Sequence, residues 1–186
     1  MIPTDLFLAD PALSEPRHSR TNGGVTVTRT AGTLACAHAL DPVVAALDTR
    51  RGLVLSCGVE APGRYRRGAL GFVDPPLALT ARGRTVRVDA LNGRGAVLLP
   101  AVAAALRDTA AVAAVEAAPS RLSVLVRRSA EPFAEEERSR QPSVFAVLRA
   151  VGDLFADPGE PLLGLYGAFG YDLAFQFEPV DRKSVV

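Results

Sequence analysis

The chain is poor in the residues that build metal centres and disulfide frameworks. Of its 186 residues, two are cysteine and two are histidine. No C-x-x-C pair occurs, and Cys36 and His38, separated by one residue, make at most half of a four-ligand set. Ordinary buried thiols in a reducing compartment are the simpler reading. Charge of one sign is scarce too: 21 Lys+Arg stand against 20 Asp+Glu, a net of +1, with no block of five like charges. That removes the electrostatic footprint of a nucleic-acid binder. No run of about 18 apolar residues is present to form a membrane-spanning helix. The opening MIPTDLFLADP has neither a basic leader nor a long apolar core, so the expected location is cytoplasmic.

Catalytic signatures are also missing. Around Ser56 the order is Val54-Leu55-Ser56-Cys57-Gly58, which lacks the first glycine of a nucleophile elbow. A Cys57 dyad with His18 or His38 has no spacing to support it. Gly164, Gly167 and Gly170 fit neither a phosphate loop nor a dinucleotide fingerprint. They suit close backbone approach inside a packed core. Glu135, Glu136 and Glu137 are adjacent on one surface segment and do not converge on a cation.

What is present is a mixed α+β pattern. Prolines at 3, 11 and 16 mark residues 1–20 as a loose lead-in, followed by the Asn22-Gly23-Gly24 turn signal. VTVTRT (25–30) alternates as a strand. Asp41 reads as an N-cap with Pro42 at the first helical position. Strands are expected at 52–57, 69–73, 77–81, 85–91 and 96–100, separated by turns at Pro62-Gly63, Asp74-Pro75-Pro76, Arg82-Gly83-Arg84 and Asn92-Gly93. Val86, Val88 and Ala90 share one face of their strand while Arg87 and Asp89 share the other, which predicts a sheet wetted on one side. The alanine-rich 101–118 favours helix; 121–128 returns to strand, and 129–140 is a charged loop. Val144, Val147, Leu148, Val151, Leu154 and Phe155 recur at helical spacing behind Pro142. The final LLGLYGAFGYDLAFQFEP suits a buried strand, a tight turn and a short further element. The fold class is therefore α+β, a mostly antiparallel sheet meander packed with helices.

At RRGLVLSCGVEAPGRYRRGALGFVDPPLALTARGRTVRVDALNGRG (50–95) and ERSRQPSVFAVLRAVGDLF…GLYGAFGYDLAFQFEP (137–179) the chain resembles the amino-terminal domain of anthranilate synthase component I. The bacterial form fused to its glutamine amidotransferase is the nearer likeness. The blocks PGRY, GFVDPPL and GLYGAFGYDLAFQFEP are its specific parts. The resemblance implies a domain over 21–180, an incomplete part of a two-domain fold, with a divergent tail at 181–186 and the chorismate-binding domain absent. It further implies conversion of chorismate and glutamine-derived ammonia to anthranilate and pyruvate by the complete enzyme, with Mg²⁺ held outside this chain. The chain would be inactive alone.

The same resemblance places a feedback pocket for tryptophan at Val54, Leu55, Ser56 and Cys57, with Arg67 beyond the turn. Such a pocket needs oxygen acceptors, a cation or N–H donors, and an apolar slot. Cys57 stands where the family has serine. The expected partners are the chorismate-binding domain, the glutamine amidotransferase component and tryptophan, without nucleic acid or membrane. The alternatives are a standalone aromatic amino-acid sensor and a fragment of another chorismate-using synthase, one making aminodeoxychorismate or a phenazine precursor.

Overall fold

A computed structural model describes residues 14–34, 39–58, 68–128 and 141–176. Its antiparallel strands and three helices bear out the α+β class. The chain divides into two units, Met1–Ser19 with Thr26–Pro75, and Arg20–Val25 with Pro76–Val186.

In the first unit β1 (Arg17–Arg20) pairs with β2 (Thr26–Arg29), so a strand begins inside the segment expected to be a loose lead-in. The helix α1 (Asp41–Ala46) starts one residue earlier than its sequence signal. Leu40 is the N-cap, and Asp41 is already helical. Then β3 (Gly52–Cys57) and β4 (Gly68–Val73) run antiparallel from Gly52 opposite Val73 to Cys57 opposite Gly68. The base of this ladder is closed by the Asp74 N–H on the Arg51 carbonyl at 2.7 Å and by the Arg50–Asp74 ion pair. Asp74 itself takes φ 52°, the left-handed turn that the Asp-Pro-Pro signal marks. α1 lies on β4, and Gly71 makes room for it: a Cβ there would stand 3.0 Å from both Val43 Cγ1 and Val54 Cγ2.

The second unit holds the core. Four strands run in the spatial order β5-β6-β8-β7, all antiparallel: β5 (Leu77–Arg82), β6 (Thr85–Ala90), β7 (Val112–Ala118) and β8 (Arg121–Val126). Gly83 at φ +54° turns β5 into β6. One face is dry as its alternation predicts, with Val86, Val88, Leu122, Val124 and Val126 buried beneath α2 (Gly93–Arg107) and α3 (Val144–Phe155). The helices contribute Leu99, Val102, Leu106, Val147 and Val151 to the same cluster. Each such side chain removed from water stabilises the fold by about 1.5–3 kcal/mol.

Two expectations fail here for physical reasons. Residues 96–100 are helix, not strand. Asn92, read as half of a hairpin turn, is the N-cap of α2, and its Oδ1 accepts from the Gly95 N–H at 3.2 Å. The buried positions 95, 99, 102, 103 and 106 then follow helical spacing. Pro100 is tolerated inside α2 because it lies on the exposed face, where water can reach the carbonyl of Ala96 that its ring leaves without a donor. The alanines of 101–118 do not make one helix. The chain turns at Thr109, whose hydroxyl donates to Ala105 O at 2.9 Å, and 112–118 pairs with β8. Tertiary pairing overrides alanine's local preference.

The predicted helix over 144–155 is observed. Its end is held by residues 21–23: the Thr21 hydroxyl donates to Leu154 O at 2.7 Å, and the N–H groups of Asn22 and Gly23 reach Ala156 O and Leu154 O. A Cβ on Gly23 would stand 2.2 Å from Leu154 Cδ1, so only glycine fits. The expected buried strand after Pro161 is absent. Residues 161–170 have no regular structure, a 3₁₀ helix follows at Tyr171–Gln176, and most apolar side chains of 162–171 are exposed. The glycine spacing that suggested a core instead leaves an irregular surface strap.

Candidate functional site

The end of β3 brings four of the expected site residues together on one strand. Strand geometry divides them between two faces. Val54 and Ser56, opposite Gly71 and Ala69, lie on the face toward α1, as the approach of Val43 and Val54 to Gly71 shows. Leu55 and Cys57, opposite Leu70 and Gly68, lie on the other. Val54 is half-buried, Leu55 is 48% exposed, and Ser56 and Cys57 are exposed. Arg67, the expected cation, and the Pro62-Gly63 turn lie outside the described residues, as do Cys36, His38 and Glu135–Glu137.

The local sequence explains this exposure. Gly52 sits so close to β4 that a Cβ would stand 2.1 Å from Phe72 O, which fixes the base of the ladder. Toward its far end the strands carry Ser56, Ala69 and Gly68, residues too small or too polar to draw cover over themselves. The result is an open strand end whose α1 face offers the Ser56 hydroxyl beside Val54 and whose other face offers the Cys57 thiol beside Leu55. Each face sets one polar group against one apolar side chain. His18 lies on β1, where its Nδ1 is hydrogen-bonded with Thr28 Oγ1 of β2 at 3.0 Å.

A second polar cluster escaped the reading of the sequence. On the wet face of the four-stranded sheet, Asp89 takes Arg87 Nε at 2.7 Å on one oxygen and Arg121 Nε at 2.5 Å on the other. The hydrogen bond from Arg121 is the main reason the Asp89 carboxyl is held below the usual carboxylate range. Burial opposes it, and the charges of both arginines and the hydrogen bond from Arg87 add to it. Asp89 is directly opposite Arg121 in the β6–β8 register. Pairing of opposite charges across strands 32 residues apart was the signal. Asp89 thus bridges two arginines on the wet face, a structural ion-pair arrangement.

Among the described residues, no group of three or more His, Cys, Asp or Glu could hold a metal ion. No described helix is long and apolar enough to cross a membrane.

The chain is 67% identical over 183 residues, 98% of its length, to the "Anthranilate synthase" of Azospirillum brasilense. It is 36% identical over 120 residues, 62% of its length, to "Anthranilate synthase component 1" of Escherichia coli strain K12. It covers 25% of the first relative and 22% of the second, so it spans about a quarter of the length of the curated relatives that it matches. No family model and no solved structure matches it.

Proposed function

The chain is a relative of the anthranilate synthases, and on that premise we propose that it is the amino-terminal part of component I, serving tryptophan biosynthesis as one wall of a feedback pocket. The observation that carries this reading is identity of 67% sustained over 98% of the chain. A short shared motif could arise in an unrelated fold; similarity through strands, turns and helices together supports one family.

In this reading the complete enzyme converts chorismate and glutamine-derived ammonia to anthranilate and pyruvate. The chorismate-binding part and the amidotransferase component supply that chemistry, with Mg²⁺, and this chain supplies regulation. Ser56 contributes a hydroxyl to the polar head of tryptophan beside the apolar Val54 on the same face, Leu55 backs that wall from the other face, and Arg67 supplies a charge for the carboxylate. The exposure of Ser56 at an open strand end supports this, because a ligand must reach the group without unfolding the ladder. Cys57 keeps the size of a serine but is a weak hydrogen-bond partner. Feedback follows if tryptophan favours one arrangement of the enzyme and chorismate another, since such coupling is reciprocal.

Two preparations test the reading. The chain alone, given chorismate, Mg²⁺ and ammonia, is expected to make no fluorescent anthranilate. A chimera in which it replaces the matching quarter of the A. brasilense enzyme is expected to make anthranilate and to be inhibited by tryptophan. Turnover by the chain alone, or a folded chimera without anthranilate synthesis, would refute it. Tight tryptophan binding by the isolated monomer would favour a standalone sensor.

A further inference from the structure

Ionic partners are unevenly shared among the arginines. Arg50 faces Asp74, while Arg87 and Arg121 face Asp89. Arg82, Arg84, Arg107, Arg127 and Arg128 meet no carboxylate among the described contacts. These five are dispersed along the sequence, and no run of like charge announces them. The topology of the second unit gathers them at one end of the four-stranded sheet. Arg82 and Arg84 flank Gly83 in the turn from β5 to β6. The Arg84 carbonyl accepts from the Val126 N–H at 2.9 Å, so Arg127 and Arg128, which leave β8, stand beside that turn. The Arg127 N–H donates to Ala111 O at 2.9 Å, which brings in the end of α2, where Arg107 is the last helical residue.

Two of the five guanidinium groups are fixed in place. Arg84 Nη1 donates to Arg127 O at 2.5 Å and to Pro142 O at 2.9 Å, and Arg127 Nε donates to Ala110 O at 3.1 Å. Carbonyl oxygens orient a guanidinium and leave its full charge in place. Arg84 is half-buried, and the other four are exposed. Asp108 brings a negative charge to the same end, beside Arg107. Like charges gathered in this way repel one another, and an anion carrying several charges reverses that repulsion. Several guanidinium forks together match the oxygen-rich, multiply charged surface of linked phosphate groups, whereas a single carboxylate engages one fork.

We propose that this arginine end of the second unit binds an oligophosphate anion, of which inorganic diphosphate is the smallest, with Arg82, Arg107 and Arg128 closing on it around the fixed Arg84 and Arg127. The proposal goes beyond the functional reading above and stands apart from it, because it uses neither the strand end at Ser56 nor any step of anthranilate synthesis.

Titration calorimetry of the full chain with inorganic diphosphate at low salt is expected to show saturable binding that weakens as salt rises, since screening at 0.1 M acts over about 10 Å. Arg82 and Arg128 make no hydrogen bond among the described contacts. Arg82→Gln combined with Arg128→Gln is therefore expected to leave the thermal midpoint of the ligand-free chain unchanged and to weaken binding at least about tenfold, through loss of charge-assisted hydrogen bonds. Arg149→Gln, at an exposed position in the middle of α3, removes a positive charge elsewhere and is expected to leave the affinity unchanged. Absence of saturable binding, or equal weakening by Arg149→Gln, would overturn the proposal. Tighter binding of a single-stranded oligonucleotide than of diphosphate would assign the arginines to nucleic acid, and would also overturn it. So would diphosphate binding that emerges only after Glu135, Glu136 and Glu137 are changed to Gln, a result that would assign the arginines to the chain's own acidic segment.

Discussion

At the scale of single residues, the clearest discriminations are between glycines. Gly95 lies in α2 with Pro76 O only 2.0 Å from where its Cβ would stand, whereas Gly152, inside α3, has open space there. Gly95→Ala is expected to destabilise the chain by about 1–3 kcal/mol through overpacking. Gly152→Ala is expected to stabilise it by roughly 0.5–1 kcal/mol by helix propensity. Urea unfolding of the two variants measures both signs. Asp89 makes a second prediction. Its folded pKa is lowered by Arg121 first and Arg87 after it. Its stabilising contribution is therefore complete above the unfolded carboxylate value and is lost as pH falls through the folded one. Asp89→Asn is expected to weaken stability at neutral pH by about 1 kcal/mol or less, since both arginines are half exposed. It should also flatten the loss of stability below about pH 4, the unfolded carboxylate range.

At the scale of elements, capping decides what composition leaves open. Asn92→Ala removes the Oδ1 acceptor for the Gly95 N–H and is expected to cost about 1 kcal/mol. Leu106→Ala, at a fully buried position of the same helix, is expected to cost about 2–5 kcal/mol. Thermal unfolding of both variants separates the cap from the core. Alternation revealed β6 and β8, whose burial alternates, helical spacing revealed α3, and turn residues bounded β3, β4 and β5. They misread α2 and β7. There, an Asn-Gly pair has the same local chemistry at a hairpin and at a helix start, and an alanine run joins the sheet only through pairing with a distant strand. The strap at 162–171 was misread for a related reason. Apolar residues predict burial within the chain, and here Leu162, Leu165, Phe169 and Tyr171 are exposed.

At the scale of the whole molecule, the family was legible in the blocks around 50–95 and 137–179, and similarity to two anthranilate synthases bears it out. The strand end with Ser56 was legible as a unit. Which of its two faces meets α1 was not, since only the approach of Val43 to Gly71 beside Val54 shows which side α1 occupies. The proposed role of that strand end in regulating a larger enzyme is tested most directly in the chimera with the A. brasilense polypeptide. Anthranilate fluorescence is followed with chorismate, glutamine and Mg²⁺ while tryptophan is titrated, in the parent chimera and in Ser56→Ala. Loss of a hydrogen bond to a charged group costs about 1.5–3 kcal/mol, tenfold or more in affinity. The parent is expected to be inhibited, and Ser56→Ala to need at least tenfold more tryptophan for half inhibition. Equal inhibition of both proteins would contradict it.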